Sequence, residues 1–311
     1  MTAASPRIPA AKRAGDRVFS GTTLAAGLLI LVVLAAVAIF LVVRSLPAFF
    51  AQDLELGAGF PTFLSYVVPL VFGTIWAAVL ALVLAVPFSI AIALFISHYA
   101  PRRIARGLGA VIDLLAAVPS VVFGLWGIFV LAPFVRPFYD FLGEYFGWIP
   151  LFAGNISGTG RTILTVAIVL AVMIIPIITA LSREVFLQTP RLNEEAALAL
   201  GATRWEMIRM AVLPFGRGGI VSASMLGLGR ALGETFAVAM VLSPAVTINF
   251  RLLTAQNPTT IAANIALRFN EAFGSTLNVL IATGLVLFVI TFAVNALARL
   301  IVARTTVGKA A

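Results

Sequence analysis

Long apolar runs separated by short basic segments set the plan of this chain. Six runs stand out, at about residues 22–43, 67–97, 111–133, 162–182, 218–243 and 277–298. Each is near or above the ~20 residues that a helix needs to cross a bilayer. The pattern predicts an all-α integral membrane protein with six transmembrane helices. The second run contains Pro69 and Pro87, so a kink or a broken end is expected there. The first run follows Arg7, Lys12, Arg13 and Arg17, as a signal peptide's apolar core would. Its 22 residues exceed the roughly 7–15 of such a core, and no small-x-small cleavage site follows, so it reads as a retained anchor helix. One membrane domain over 18–311, behind a basic tail at 1–17, accounts for the whole sequence, with no internal repeat.

Composition agrees. The chain is 61% hydrophobic and 11% charged, with a mean hydropathy of +1.10, far from the roughly 25% charged of soluble domains. Its net charge of +9 is spread over short segments between apolar runs, which argues against nucleic-acid binding. Those segments orient the protein. Of the 21 Lys and Arg, only Arg44, Arg136, Arg161, Arg251 and Arg268 fall on one side, Arg230 lies within a span, and the rest share the other side. The positive-inside rule then puts both termini in the cytoplasm of a multi-pass plasma-membrane protein. The outer stretch 134–160 is rich in aromatics, Gly and Pro, and Trp148 with its neighbouring tyrosines suits an interfacial belt. Asp53 and Glu55 read as solvated loop residues. The absence of cysteine and the presence of a single histidine, His98, leave no pattern for a metal or cofactor site.

The inner loop 182–219 carries the most local information. Asn193 is a candidate N-cap for a helix whose first turn holds Glu194 and Glu195, and Gly201 suits its left-handed stop. Thr203 and Glu206 form a Thr-x-x-Glu capping box that starts a second helix, expected to reach Val212 before Pro214 limits it. The product is a cytoplasmic helical elbow over 193–212, with a small face at Ala196, Ala197 and Ala199 that another protein could approach closely. On these grounds alone it could equally be an ordinary amphipathic connector.

The stretch "EAALALGATRWEMIRMAVLP" resembles the EAA signature of ABC importer permeases. Glu195, Ala196, Ala197, Gly201, Leu213 and Pro214 match it in type and spacing, while Ala211 stands where an isoleucine is usual. "AAVPSVVFGLWGIFVLAP", "GLGRALGETFAV" and "GDRVFSG" are similar to phosphate-import permeases of the PstC type, over about residues 15–305. The resemblance implies a type I, MetI-like permease fold whose elbow docks on an ATPase. It also implies a partner set: a second permease (PstA type), a pair of ATPase subunits (PstB type) and an extracytoplasmic phosphate-binding protein (PstS type). Inorganic phosphate would be the cargo. The two lysines, Lys12 and Lys309, follow no Gly-rich loop, so no Walker A site is expected and the chain is not expected to be an enzyme.

The fifth run contains Arg230 and Glu234, each costing about 2.5–3.5 kcal/mol to insert at a helix centre. If the helix is continuous, their four-residue spacing puts them on one face, able to touch. Arg230 would offer an always-charged, two-pronged donor to phosphate, with Glu234 holding and partly neutralising it. A structural ion pair that fixes helix register is the competing reading. Gly219, Ala223 and Gly227 recur at the spacing of a close-packing stripe. Gly124 and Gly127 also suit packing, Pro119 and Ser120 could open the backbone, and Asp113 suits an interface or a helix start. Alternatives to the phosphate permease are a permease for another oxyanion or solute, or an ATP-independent channel or carrier. No His cluster, nucleophile elbow or convergent carboxylate pair appears in the spans, which argues against a membrane enzyme.

Overall fold

The computed structural model describes residues 14–50 and 60–307, with side chains described for 15–50 and 60–300. Most of the basic tail, together with Asp53, Glu55 and Lys309, lies outside them. Among the described residues six helical stretches are long and apolar enough to cross a membrane: Gly15–Phe50, Phe63–Tyr99, Ser120–Phe146, Ile163–Leu187, Arg204–Leu232 and Ser275–Leu300. Their elements in chain order begin with α1 (Ala14–Phe50), α2 (Phe63–Leu94) and α3 (Arg102–Ala116). The third span joins α4 (Ser120–Trp126) to α5 (Ala132–Phe146), and α6 (Ile163–Leu187) is the fourth. The elbow contains α7 (Arg191–Ala199) and α8 (Arg204–Met207), followed by α9 (Leu213–Leu232) and α10 (Phe236–Val241). A small parallel pair, β1 (Pro244–Ala245) and β2 (Asn257–Pro258), precedes α11 (Ile261–Arg268) and α12 (Ser275–Val307).

The core is the α2–α6–α9 packing. Small residues make it close: Ala77, Ala78, Ala81 and Ala85 of α2 are buried, and the predicted stripe of α9 lies on α6, with Gly219 against Val185 and Gly227 against Ile178. In a bilayer, dispersion and close backbone approach do the work that the hydrophobic effect does in water. Gly124 and Gly127 also pack as expected, against Ala237 and Val241 of α10. Buried hydroxyls tie spans together: Thr179 Oγ1 donates to the Ser89 carbonyl at 3.5 Å, and Ser89 Oγ to that of Ile175 at 3.3 Å. α11 is pinned to α2, because Thr74 Oγ1 accepts from Ile261 N at 2.9 Å and Asn264 Nδ2 donates to Tyr66 Oη at 2.7 Å.

Three expectations are corrected. The third span is not 111–133 but 120–146, since Pro119 opens α4 as its N-cap and 102–116 is a separate helix. Pro119 biases Val118 away from helix, and that breaks the run. The outer stretch is correspondingly shorter, because residues 134–146 are helical, although Trp148 and Tyr145 are exposed as a belt requires. Asp113 is no helix start; it lies exposed in the later half of α3. Elsewhere, α2 is one continuous helix through Pro69 and Pro87 and is followed by a π-turn at Phe95–Tyr99.

One tight backbone approach is at Gly73 of α2, where an added Cβ would collide with the carbonyl oxygen of Thr259. Gly73→Ala is expected to cost about 1–3 kcal/mol, as overpacking does, and to lower the melting temperature of the purified protein. Gly107→Ala, at a position with nothing within 4 Å, should leave it unchanged or slightly raised; thermal unfolding in detergent measures both.

Candidate functional site

The fifth span is a broken helix. α9 stops at Leu232 with Gly233 as its C-cap, and the six-residue α10 starts at Phe236. Arg230 therefore sits in the last turn of α9, and Glu234 lies beyond its end, in the break. The expected Arg230–Glu234 contact is not formed: the ion pairs among the described residues are His98–Glu194, Arg136–Asp140 and Arg183–Glu184. The i, i+4 geometry required a continuous helix, and Gly233 ends it. Each charge instead complements a helix end. Arg230 lies at the negative C-terminus of α9, while Glu234, 7% exposed, accepts from the backbone N of Ala237 at 3.1 Å at the positive start of α10.

The other end of α10 is capped by a residue that sequence reasoning treated only as an outer charge. Arg161, preceding α6, donates Nε to the carbonyl of Val241 at 3.1 Å, and Nη2 to those of Met240 at 3.0 Å and Leu242 at 3.2 Å. Asn257 Nδ2 in turn donates to the Arg161 carbonyl at 3.4 Å, while its Oδ1 accepts from Ile163 N at 3.1 Å. No local motif points to this, because the capped carbonyls are some 80 residues away.

Beside the break, α6, α9 and α12 enclose an open cavity of about 900 Å³. Its polar wall consists of Ser222 and Arg230 from α9 with Asn295 and Arg299 from α12, and among the described residues no acid lines it. The Nε of Arg230 is buried without a hydrogen-bond partner. Arg299, counted from sequence among the inner-surface arginines, is thus a second cation of the same cavity; the periodicity of α12 does not reveal this without knowing which helix it faces. A wall with two guanidinium groups and no carboxylate is suited to an anion.

The elbow forms at the inner end of α6. α7 begins at Arg191 behind Pro190, three residues before the expected start, so Asn193 is in the first turn and is not the N-cap. Proline's fixed φ makes Pro190 a ready helix entry. Gly201 has φ +88°, and around it Gly201 N donates to Leu198 O at 3.0 Å and Ala202 N to Ala197 O at 3.2 Å. That is the Schellman closure the glycine predicts. The Thr203–Glu206 capping box is present, with Thr203 N donating to Glu206 Oε2 at 2.8 Å and Glu206 N to Thr203 Oγ1 at 3.3 Å.

The second helix does not stop before Pro214. It passes through a π-segment, Ile208–Val212, into α9, whose first turn contains Leu213 and Pro214. Ala197 is buried against the inner core with Phe186 and Met207, so it is not part of the exposed small face, whereas Glu195, Ala196 and Ala199 are exposed. Leu213 packs against the same inner core. Around the elbow Leu192, Leu200, Trp205 and Met210 are exposed, Leu200 by 90%. Glu194 Oε1 lies 3.5 Å from His98 Nε2, whose Nδ1 is 2.7 Å from Ser97 Oγ, so α7 is tethered to the inner end of the second span.

Comparison with known proteins fits this architecture. Residues 85–307 match the family described as binding-protein-dependent transport system inner membrane component. A phosphate transport system permease protein PstC 2 of Mycobacterium bovis is 49% identical, covering 93% of this chain and 92% of its own. A PstC permease of Mycobacterium leprae is 53% identical over 73% of this chain and 72% of its own, and one from Mesorhizobium japonicum is 40% identical over 93% and 90%. Among solved structures, a bacterial ABC transporter that imports the acidic polysaccharide alginate superposes with a TM-score of 0.61 at 18% identity, over 91% of this chain and 96% of its own. The inward-facing MetNI methionine ABC transporter gives 0.53 at 16%, over 78% and 95%. These two establish the fold, that of a type I, MetI-like importer permease. By the family match and the relatives together, the chain belongs to the binding-protein-dependent transport system inner membrane components, the membrane-spanning permeases of ABC importers.

Proposed function

We propose that this chain is the permease subunit of an ATP-driven phosphate importer and that Arg230 and Arg299 line its anion pathway. The observation that carries the reading is the cavity wall with two arginines and no carboxylate, set beside a broken membrane helix. Breaks of this kind are tolerated in a bilayer where they line a cavity, and they mark substrate sites in other transporters. The relatives named as phosphate transport permeases support phosphate as the anion. Glu234 acts through structure as well as charge: it caps α10 and so keeps the break open beside Arg230.

The chain forms half of the pathway, with a second permease of the PstA type closing the open side of the cavity. Two ATPase subunits of the PstB type dock on the elbow, where Glu195, Ala196, Ala197, Gly201, Leu213 and Pro214 carry the EAA pattern. The exposed Leu192, Leu200 and Trp205 provide apolar contact. A phosphate-binding protein of the PstS type delivers cargo to the outer loops. This chain contributes no nucleotide site; hydrolysis belongs to the ATPase. Closure of the ATPase pair moves the elbow, and the rod from Thr203 to the break carries that movement to the cavity. Phosphate then leaves toward the cytoplasm when the cleft resets inward.

Arg230→Gln is expected to lower phosphate uptake about 10–100-fold, the loss of a charge-assisted hydrogen bond worth roughly 1.5–3 kcal/mol, while the complex still co-purifies with its ATPase. Arg299→Gln should act in the same direction. Glu234→Gln keeps an acceptor for Ala237 N, so uptake should fall with little change in melting temperature, whereas Glu234→Ala should lower both. Normal transport, or failure to assemble, would overturn the pathway role.

Reconstitution with the ATPase and binding protein tests the cargo: phosphate should stimulate ATP hydrolysis, and stimulation by sulfate alone would overturn the substrate. For the elbow, Gly201→Val forces a branched residue to φ +88°, costing about 1–2 kcal/mol or more. ATPase retention on the purified membrane complex should drop, with insertion of the permease unchanged.

A further inference from the structure

The segment between the second and third spans is a 15-residue helix, α3. At about 1.5 Å per residue it is roughly 22 Å long, too short to cross the bilayer. It starts three residues after the inner end of one span and finishes four before the start of the next, so both of its ends are held at the inner membrane surface. Its residues sort by face. Arg102, Arg103 and Arg106 occupy one side and are all exposed. Ile104, Val111 and Leu115 occupy the opposite side with Leu114 at its edge, and these too are exposed, Leu114 by 71%. Only a third flank is packed, where Gly109 is buried so close to the guanidinium of Arg183 on α6 that a Cβ would not fit. Asp113 is the one acid on the helix.

An apolar face open to its surroundings, bordered by three arginines and lying at the inner surface, has the form of an interfacial helix. We infer that α3 is a docking surface for anionic phospholipid, with Ile104, Val111, Leu114 and Leu115 among the acyl chains and Arg102, Arg103 and Arg106 on the headgroup phosphates. Charge complementarity selects the lipid, since basic residues at this level attract anionic headgroups. The ATPase has a separate surface, the elbow. Through Gly109 and Arg183, the lipid-held helix braces the end of α6 from which the elbow hangs.

The sequence has no cysteine, so Leu114→Cys in the full complex takes a single bimane label in this subunit. In vesicles containing equal mole fractions of spin-labelled phosphatidylglycerol or spin-labelled phosphatidylcholine, both should quench the label. Phosphatidylglycerol should be the stronger at low salt by about three-fold or more. The preference should vanish in Arg102→Gln/Arg103→Gln/Arg106→Gln. High salt on the protein with its arginines intact should also remove it, which keeps the test valid if the triple variant fails to insert. Equal quenching by the two lipids at low salt would overturn the inference. Quenching that appears only after the ATPase is stripped away would assign the face to the ATPase and overturn it equally.

Discussion

The absence of water in the hydrocarbon layer governs this structure. A backbone group freed from a helix there must find a partner inside the protein, at a cost of several kcal/mol if it does not. The break between α9 and α10 frees such groups at both ends of a six-residue helix, too short to be stable alone. Glu234 takes an amide at one end and Arg161 takes three carbonyls at the other. Glu234, which looks expensive on a hydropathy scale, and Arg161, which reads as an outer charge, are thus the groups that make the break possible. Asn257 orients Arg161 through its carbonyl, so the outer loop belongs to the same support.

A second constraint acts through proline. Among the described residues three π-segments occur, Phe95–Tyr99, Gly127–Leu131 and Ile208–Val212, each ending two residues before Pro101, Pro133 or Pro214. Proline lacks the donor for an i→i−4 bond and crowds the preceding turn, and a locally widened helix relieves the clash. At Pro101 the span ends; at Pro133 and Pro214 the helix continues. The consequence at Pro214 is mechanical. The elbow's second helix and α9 become one rod from the Thr203 cap to Gly233, with no joint where sequence patterning placed one. Displacement at the cytoplasmic end then has a direct route to Arg230.

Features fixed by local chemistry were legible from the residues alone: the Thr203–Glu206 capping box, the left-handed Gly201 and the α9 stripe facing α6. Four of the six spans match their apolar runs closely, while the third and the fifth are shifted along the chain. Other features were not, for separable reasons. Hydropathy merged the apolar face of α3 with the third span, because a windowed average cannot tell a helix lying on a membrane from one crossing it. The Arg230–Glu234 pairing assumed one uninterrupted helix, and the weak helix former Gly233 defeated it. Arg161 and Arg299 gained their places from segments distant in sequence, information that no local pattern contains.

The surfaces left open support the same conclusion as the cavity. α1 is apolar all round, packs chiefly on α12 and exposes most of its length, which suits a helix surrounded by lipid or by another subunit. α9 exposes Ser222, Leu226 and Gly229 at the mouth of the cavity beside Arg230. A guanidinium whose Nε is buried at an open mouth is a poor end state for a monomer, because that N–H is desolvated and none of the described residues accepts from it. In the proposed assembly, a facing permease closes the mouth and the passing anion supplies the missing acceptor. The strain of an incompletely satisfied arginine is then confined to moments when the pathway is empty, which favours loading without requiring tight, slowly reversed binding.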